Sequence, residues 1–288
     1  GKFKDWGFEG SINYNGKIGE VQYHVGGNIT FARNELTDYG GTSVLKSGYT
    51  STQQGYSLNS IFGLRYGGKI QNEEMLKAYL AKYYPNNGIG MPSNLRVGDN
   101  MYCDENGDGV LDYRDYIYLG SDTPEISYSF NAGASWKGID FNIVFQGSAN
   151  RFVYRGIDAW TVPFRSLYTN STTSSIGNTW SETNPNAYYN PYTTDANIVS
   201  YNYQANSLTA QDGRYIRLKN ITVGYNLPAS VLKKLGFVNA ARIYFTGEDL
   251  WESTKITDGW DPEAKRKASD VSRYPFTRNF TFGLNLTF

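Results

Sequence analysis

The segment Phe276-Thr-Arg-Asn-Phe-Thr-Phe-Gly-Leu-Asn-Leu-Thr-Phe288 alternates with a period of two over its whole length. Phe276, Arg278, Phe280, Phe282, Leu284, Leu286 and Phe288 fall on one side, and Thr277, Asn279, Thr281, Gly283, Asn285 and Thr287 on the other. Successive side chains of a β-strand point to opposite faces, so this is a strand with one apolar and one polar face. A greasy strand needs a cover. In a transmembrane β-barrel, lipid covers the outer face and neighbouring strands take up the backbone hydrogen bonds. The fold then depends on whether the rest of the chain supplies such neighbours.

Six other stretches do, near residues 5–15, 20–32, 125–136, 139–150, 214–227 and 240–250. In the first, Trp6, Phe8, Gly10, Ile12 and Tyr14 alternate with polar residues; in the second, Val21, Tyr23, Val25, Gly27, Ile29 and Phe31 do. No charge interrupts either greasy side, where a Lys or Arg would cost about 2–4 kcal/mol at the bilayer midplane. The stretch 214–227 has a flaw, because Arg217 and Lys219 share the parity of Ile221, Val223 and Tyr225. Either a β-bulge near Asn220 switches the face, or the two cations stand above the membrane. The second is preferred, since both lie on the side away from the short turn.

The connections alternate in length. Tight turns join the first pair and the pair 125–136/139–150, and a dozen residues with a helical turn, Pro228–Leu235 stopped by Gly236, join 214–227 to 240–250. The other three, 33–122, 152–213 and 251–275, are long. Outer-membrane barrels have short periplasmic turns and long extracellular loops, which puts the C-terminus in the periplasm. A soluble β-sandwich explains the alternation but not long loops confined to one end. Seven strands alone would leave open edges in lipid. The chain is therefore expected to be the C-terminal part of a larger barrel, as its start at Gly1-Lys2-Phe3, with no targeting segment, also suggests.

Composition agrees. Aromatic residues make up 16% of the 288, a content suited to a barrel with aromatic girdles. The 27 basic and 27 acidic residues balance, which argues against a nucleic-acid partner. A single cysteine excludes an internal disulfide. The apolar runs fall short of the roughly 20 residues that a membrane helix needs. One helix is expected in the first long loop, over Asn72–Tyr84, with Asn72 as N-cap, Glu73 and Glu74 in the first turn and Pro85 as the stop.

The strongest local motif runs from Asp104 to Asp115. Oxygen donors Asp104, Asn106, Asp108, Asp112 and Asp115 occupy positions 1, 3, 5, 9 and 12 of an EF-hand-type loop; Gly109 takes the sharp turn at position 6, and Val110 offers its carbonyl at position 7. The expected ligand is a structural Ca2+ in a surface loop, with Asp115 replacing the usual closing Glu. The plainer alternative is an acidic Asn-Gly/Asp-Gly turn without metal.

Catalytic groupings are scarce, and no enzymatic activity is expected. His24, the only histidine, reads as a lumenal hydrogen-bonding residue on a polar face. Cys103 reads as a small structural residue. Glu248-Asp249 and Asp258/Asp261 could be drawn as a glycosidase pair but read as solvated loop charges. The second long loop is dense in rings. Tyr154, Trp160, Phe164, Trp180, Tyr188 and Tyr189, with Trp260 in the third loop, are the candidates for contact with substrate or partner. Rings interleaved with Asn, Ser and Thr suit sugar faces, peptides and protein interfaces alike.

In several ordered places the chain resembles the C-terminal portion of SusC/RagA-like TonB-dependent outer-membrane transporters. The similar features are Gly98-Asp99 leading through Asp104–Asp115 to Leu119-Gly120-Ser121-Asp122-Thr123-Pro124; Trp180 with Asn184-Pro185-Asn186-Ala187; Tyr215-Ile-Arg-Leu-Lys-Asn-Ile-Thr-Val-Gly-Tyr-Asn-Leu-Pro228; and Tyr274-Pro275 with Arg278 and Thr281–Phe288. The resemblance implies a barrel of about 22 strands, with a plug domain that is absent from this chain. It implies a SusD-like surface lipoprotein over the barrel mouth, and active import driven by TonB acting through the plug. The cargo would be a glycan, oligosaccharide or peptide too large for passive porins, and the location the outer membrane of a Gram-negative cell. Thr281-x-Gly283-x-x-Leu286-x-Phe288 resembles the terminal signal read by barrel-assembly machinery. The alternative function is a passive porin or a surface-adhesion barrel.

Overall fold

In the computed structural model every residue is described except 42–43, 48–49, 85, 155, 157–161, 163–170, 172, 258 and 265–275. Seven long strands form one antiparallel sheet in which each strand lies beside its predecessor: β1 (Lys2–Ile18), β2 (Val21–Asp38), β3 (Ile126–Trp136), β4 (Ile139–Ala149), β5 (Tyr215–Asn226), β6 (Ala240–Thr254) and β7 (Asn279–Thr287). β1 and β2 are longer than their alternation suggests, because their pairing runs unbroken from Phe3↔Leu36 to Ile18↔Val21. β7 begins at Asn279, three residues after the alternation does.

The register converts sequence alternation into two continuous faces. One rung crosses all seven strands as Tyr14, Val25, Ala132, Ile143, Ile221, Gly247 and Phe280. The next rung is Asn15, His24, Gly133, Asn142, Thr222, Thr246 and Thr281, and the one after it Gly16, Tyr23, Ala134, Phe141, Val223, Phe245 and Phe282. Apolar and polar rungs alternate because a one-residue step along a strand turns the side chain through to the other face. The apolar face is bare, with Phe282 81% and Ile12 75% exposed. A wall of this kind has lipid as its hydrophobic partner. The polar face hydrogen-bonds to itself: His24 Nε2 lies 3.2 Å from Asn142 Oδ1, Asn28 Nδ2 donates to Ser129 Oγ at 2.7 Å, and the Thr222 and Thr246 hydroxyls lie 3.1 Å apart.

The flaw in the fifth stretch is a bulge, not a pair of cations raised clear of the sheet's alternation. The register slips between Leu218 and Asn220 against β6, and between Val144 and Phe145 against β4. Lys219 is the extra residue of β5, while Asp249 and Leu250 are the extra residues of β6, with Asp249 at φ 55°. An inserted residue flips the parity of everything beyond it. Leu218 therefore joins Phe145 and Trp251 on the apolar side, and Arg217 turns to the polar face opposite Gln146 and Glu252.

Chain direction sorts the connections by end. At one end are the turns Gly19-Glu20 and Lys137-Gly138 and the segment 227–239, which carries the short helix α3 (Ala229–Leu235). Lys137 and Gly138 have φ of 48° and 88°, the left-handed pair that a twisted two-residue hairpin requires. At the other end are 39–125, 150–214 and 255–278.

The buried apolar core lies in these long connections. The first contains α1 (Glu73–Tyr83), capped as expected by Asn72, whose side chain accepts from Met75 N, and the second contains α2 (Ala196–Asn202). Leu64, Ile70, Leu76, Tyr79, Tyr83, Met91, Leu95, Tyr102 and Leu111 from the first connection pack with Tyr201 from α2. The two longest loops thus share one interior.

Candidate functional site

The shared interior is as much polar as apolar. Asn100 N–H donates to Asn202 Oδ1 and Asn100 Nδ2 to Asn202 O, both at 2.8 Å, while Asn202 Nδ2 donates to Asp99 Oδ1 at 2.8 Å. Asn190 Nδ2 reaches Gly98 O and Asn100 Oδ1, and Lys69 Nζ reaches the same Oδ1 at 3.2 Å. Three tyrosines close the network. Tyr102 N–H donates to Tyr79 OH, Tyr102 OH donates to Tyr201 O, and Tyr201 OH donates to Asn100 O. Asp99, Asn100, Asn202 and Asn206 are all essentially inaccessible. Burial raises the Tyr102 and Tyr201 hydroxyls far above the ordinary phenol range and pushes Tyr79 up to about 12. The same desolvation, opposed by Asp99, pushes Lys69 down to about 8.

This interior decides which ring candidates can face outward. Tyr154 and Tyr189 are corrected to core residues. Tyr154 is buried with its hydroxyl donating to Tyr203 O, and Tyr189 is 2% exposed among Val162, Val199 and Tyr203. Trp180 is half-buried against Gly98 and Pro191; Gly98 has φ +93°, and a Cβ there would lie 2.5 Å from Pro191 Cγ and 2.6 Å from the Trp180 ring. Tyr188 packs edge-on to Tyr189 and lines an open groove of about 590 Å³ between the two loops, with Met75, Met101, Leu208, Asn178 and Asn186. Trp260 is half-buried in the third loop. Trp160 and Phe164 lie outside the described residues.

The Asp104–Asp115 loop folds back on its own acids. Asp104 accepts from Gly107 N and Gly109 N at 2.8 and 2.9 Å, and Asn106 and Asp108 accept from Asp108 N and Val110 N. Asp115, fully buried, accepts from Glu105, Asn106 and Asp112 N–H groups. The backbone therefore closes position 12 onto positions 2, 3 and 9. Among the described residues no three His, Cys, Asp or Glu side chains are grouped to hold a metal ion. The Arg114 guanidinium instead bridges Asp108 at 2.9 Å and Asp112 at 2.8 Å, and its hydrogen bonds hold Asp112 below the usual carboxylate range. Oxygen donors of the right hardness are present, and a side-chain cation already sits on two of them. Beside this loop, burial pushes the Cys103 thiol up, away from reactive thiolate character.

The third loop is fastened to the wall by charge. Arg217, 0% exposed, pairs with Glu252 of β6, with Asp261 Oδ1 at 2.7 Å and with Glu263 Oε2 at 3.1 Å, and its guanidinium stacks 4.1 Å from the Phe276 ring. The bulge residues pair as well, with Lys219 Nζ 2.8 Å from Asp249 and 3.0 Å from Glu263. Arg151, at the exit of β4, donates to Asp122 O, Pro262 O and Ala264 O, so it joins all three long connections. Asp249 and Asp261 are thus corrected from solvated charges to structural partners; Asp258 lies outside the described residues. These arginine clasps escaped sequence reading because their partners, carboxylates and backbone carbonyls, arrive from 29 to 113 residues away.

No family model matches the chain. It is similar to TonB-dependent receptor P3 of Formosa agariphila, with 30% identity over 249 residues that cover 82% of this chain and 23% of that protein. It is also similar to TonB-dependent receptor SusC of Bacteroides thetaiotaomicron, at 24% identity, covering 100% of this chain and 27% of that one. Among solved structures, one of the RagAB peptide transporter superposes over 99% of this chain and 29% of its own, with a TM-score of 0.72 at 20% identity. The chain spans about a quarter of the length of the curated relatives it matches.

Proposed function

We propose that this chain, similar over nearly its whole length to SusC/RagA-like TonB-dependent outer-membrane transporters, forms the C-terminal stretch of barrel wall and the capture loops of an active importer. The observation that carries this is the pair of uninterrupted faces across seven strands, apolar outside and hydrogen-bonding inside, with every long connection at one end. In this reading the short turns and the C-terminus are periplasmic. A plug and the remaining strands lie elsewhere in the transporter, TonB acts through that plug, and a SusD-like lipoprotein closes over the loops. The cargo is a glycan or a peptide, and Trp180, Tyr188, Trp260 and the rings at 160 and 164 are the contact candidates. These residues make and break no bond; they bind, shape and hold.

The Asp104–Asp115 loop takes Ca2+ as a structural ion in this proposal. Asp104, Asn106, Asp108, Asp112, Asp115 and the Val110 carbonyl would hold it, and binding would require Arg114 to leave Asp108 and Asp112. A bound divalent ion would neutralise the acids and stiffen the loop.

The test is uptake by cells carrying the full-length transporter, using fluorescein-labelled maltodextrins in one arm and a fluorescein-labelled oligopeptide mixture in the other. Accumulation of one probe that disappears on deletion of TonB is the expected result. Uptake that persists without TonB would instead establish a passive pore.

A further inference from the structure

The end of the sheet opposite the long loops carries an apolar and basic feature that neither the wall nor the loops use. β5 and β6 are joined through α3, whose first residue follows Pro228 and whose last precedes Gly236 at φ 71°. No side chain caps its N-terminus. A seven-residue helix is marginal in water without tertiary support. Along it, Val231 is exposed, and Lys233 and Lys234, in the last turn, are exposed too. Immediately after it, Phe237 stacks on Phe288, with ring centroids 6.0 Å apart and planes 5° from parallel, yet each ring remains 71% exposed. Phe288 continues the parity of Phe282, Leu284 and Leu286, so Phe237 leans over the apolar, outward face of the wall. Charge at this end is lopsided. Lys17, Lys137, Lys233 and Lys234 outnumber the acids Glu20, which is already paired with Lys137 at 3.2 Å, and Asp140, which is taken by Arg242.

We propose that the 228–239 connection is a membrane-interface anchor: Phe237 and Phe288 enter the acyl edge of the adjacent leaflet, and Lys233 and Lys234 bind the phosphates of its anionic phospholipids. The occupant is the bilayer itself, because the apolar patch is continuous with the apolar face of a transmembrane wall and an aqueous location would leave two stacked rings in water. Aromatic rings at headgroup depth and cations reaching anionic phosphates form the usual chemistry of that layer. The inference rests on reading the sheet as a membrane wall, so its test carries an internal control for that reading.

Full-length transporter with Cys103→Ser, and any other native cysteines replaced, would carry one nitroxide at a time through Phe237→Cys, Lys234→Cys, Ile243→Cys or Tyr113→Cys. Each is placed in nanodiscs of phosphatidylethanolamine and phosphatidylglycerol, and folding is verified by heat-modifiable gel migration. Collision with oxygen relative to a water-soluble nickel chelate reports depth. Position 243, on the apolar face, and position 237 are expected to favour oxygen severalfold over position 113, with 234 between them. Replacing phosphatidylglycerol by phosphatidylcholine should move 237 toward water and leave 243 unchanged. A label at 237 as aqueous as 113, with 243 still in lipid, overturns the anchor alone. A depth at 237 indifferent to phosphatidylglycerol overturns the role given to the lysines. An aqueous 243 overturns the wall itself.

Discussion

Replacing Asn202 by Ala should open the two longest loops together while leaving the barrel wall intact. Asn202 is 1% exposed and holds both sides of the loop junction. Its Oδ1 takes the Asn100 N–H at 2.8 Å, and its Nδ2 serves the buried Asp99 carboxylate at 2.8 Å. Truncation strands a buried amide donor, which costs about 1–3 kcal/mol, and removes a charge-assisted bond worth about 1.5–3 kcal/mol. Partial relaxation of the site brings the sum to about 3 kcal/mol, or roughly a hundredfold in a local opening constant. Asn202→Asp should be worse than Ala, because it sets a second carboxylate where Asp99 had a donor. A single unfolding free energy is ill-defined for a large barrel, so hydrogen exchange is the suitable readout, resolving local opening segment by segment. Peptides covering 60–111 and 187–206 should both exchange roughly a hundredfold faster in the full-length protein, and those from β3 to β6 should not change. Acceleration confined to 187–206 would refute the shared interior, and unchanged exchange in both segments would refute the energetic role of the network.

Lys69 should make the loop assembly pH-dependent. Its amine is pushed down to about 8 from 10.5, so the unfolded loop binds more protons between these values and stability rises with pH across that window. The gain is of the order of 3 kcal/mol by pH 10.5; proteolysis of the loops should slow from pH 8 to 10, and Lys69→Met should flatten the trend. Above pH 10, Tyr79 opposes it, because a hydroxyl pushed up to about 12 keeps its proton only while folded. Gly98→Ala, at φ +93° and against Trp180 and Pro191, should raise loop exchange about as strongly as a core overpacking, roughly 1–3 kcal/mol. For the proposed calcium loop, calorimetry should show binding lost in Asp108→Ala and strengthened severalfold in Arg114→Ala, where the competing cation is gone; heat-silent titration of the unaltered protein would end the calcium reading.

The wall was legible because its physics is local. Each strand announces itself by alternation within about ten residues, and the same alternation, carried through the register, puts Tyr14 and Phe280 on one rung at opposite edges of the seven-stranded sheet. The bulge at Lys219 was legible as a flaw but not as its solution, since inserting a residue and raising two cations above the membrane disturb the parity alike. The pairing of Leu218 with Phe145 on one side and Trp251 on the other separates them. Helix α1 was readable from its cap and first-turn acids. The loop interior was not, because its contacts join residues about a hundred positions apart, such as Asn100 and Asn202, and follow neither helical nor strand periodicity. Tyr154 and Tyr189 looked like Tyr188 in sequence for the same reason; burial, not residue type, distinguishes them.

The high tyrosine content then has a second cause besides girdles at the membrane. Loops that rise from a wall cannot draw on the bilayer for their core, and their irregular backbone leaves N–H and C=O groups that must be paired once buried. Tyrosine supplies ring area for packing and a hydroxyl that can end such a group, as Tyr79 does for Tyr102 N–H, Tyr201 for Asn100 O and Tyr154 for Tyr203 O. Leucine in those places would keep the area and strand the backbone. Asparagine does the complementary task, giving one donor and one acceptor at a crossing of two chains, as Asn100 and Asn202 do reciprocally. A core built this way depends on every member being satisfied, so it tolerates little sliding of one loop on the other. Arg151 and Arg217 extend that rigidity to the third loop and to the wall. The three loops are thus tied to one another and to β4 and β5 beneath them.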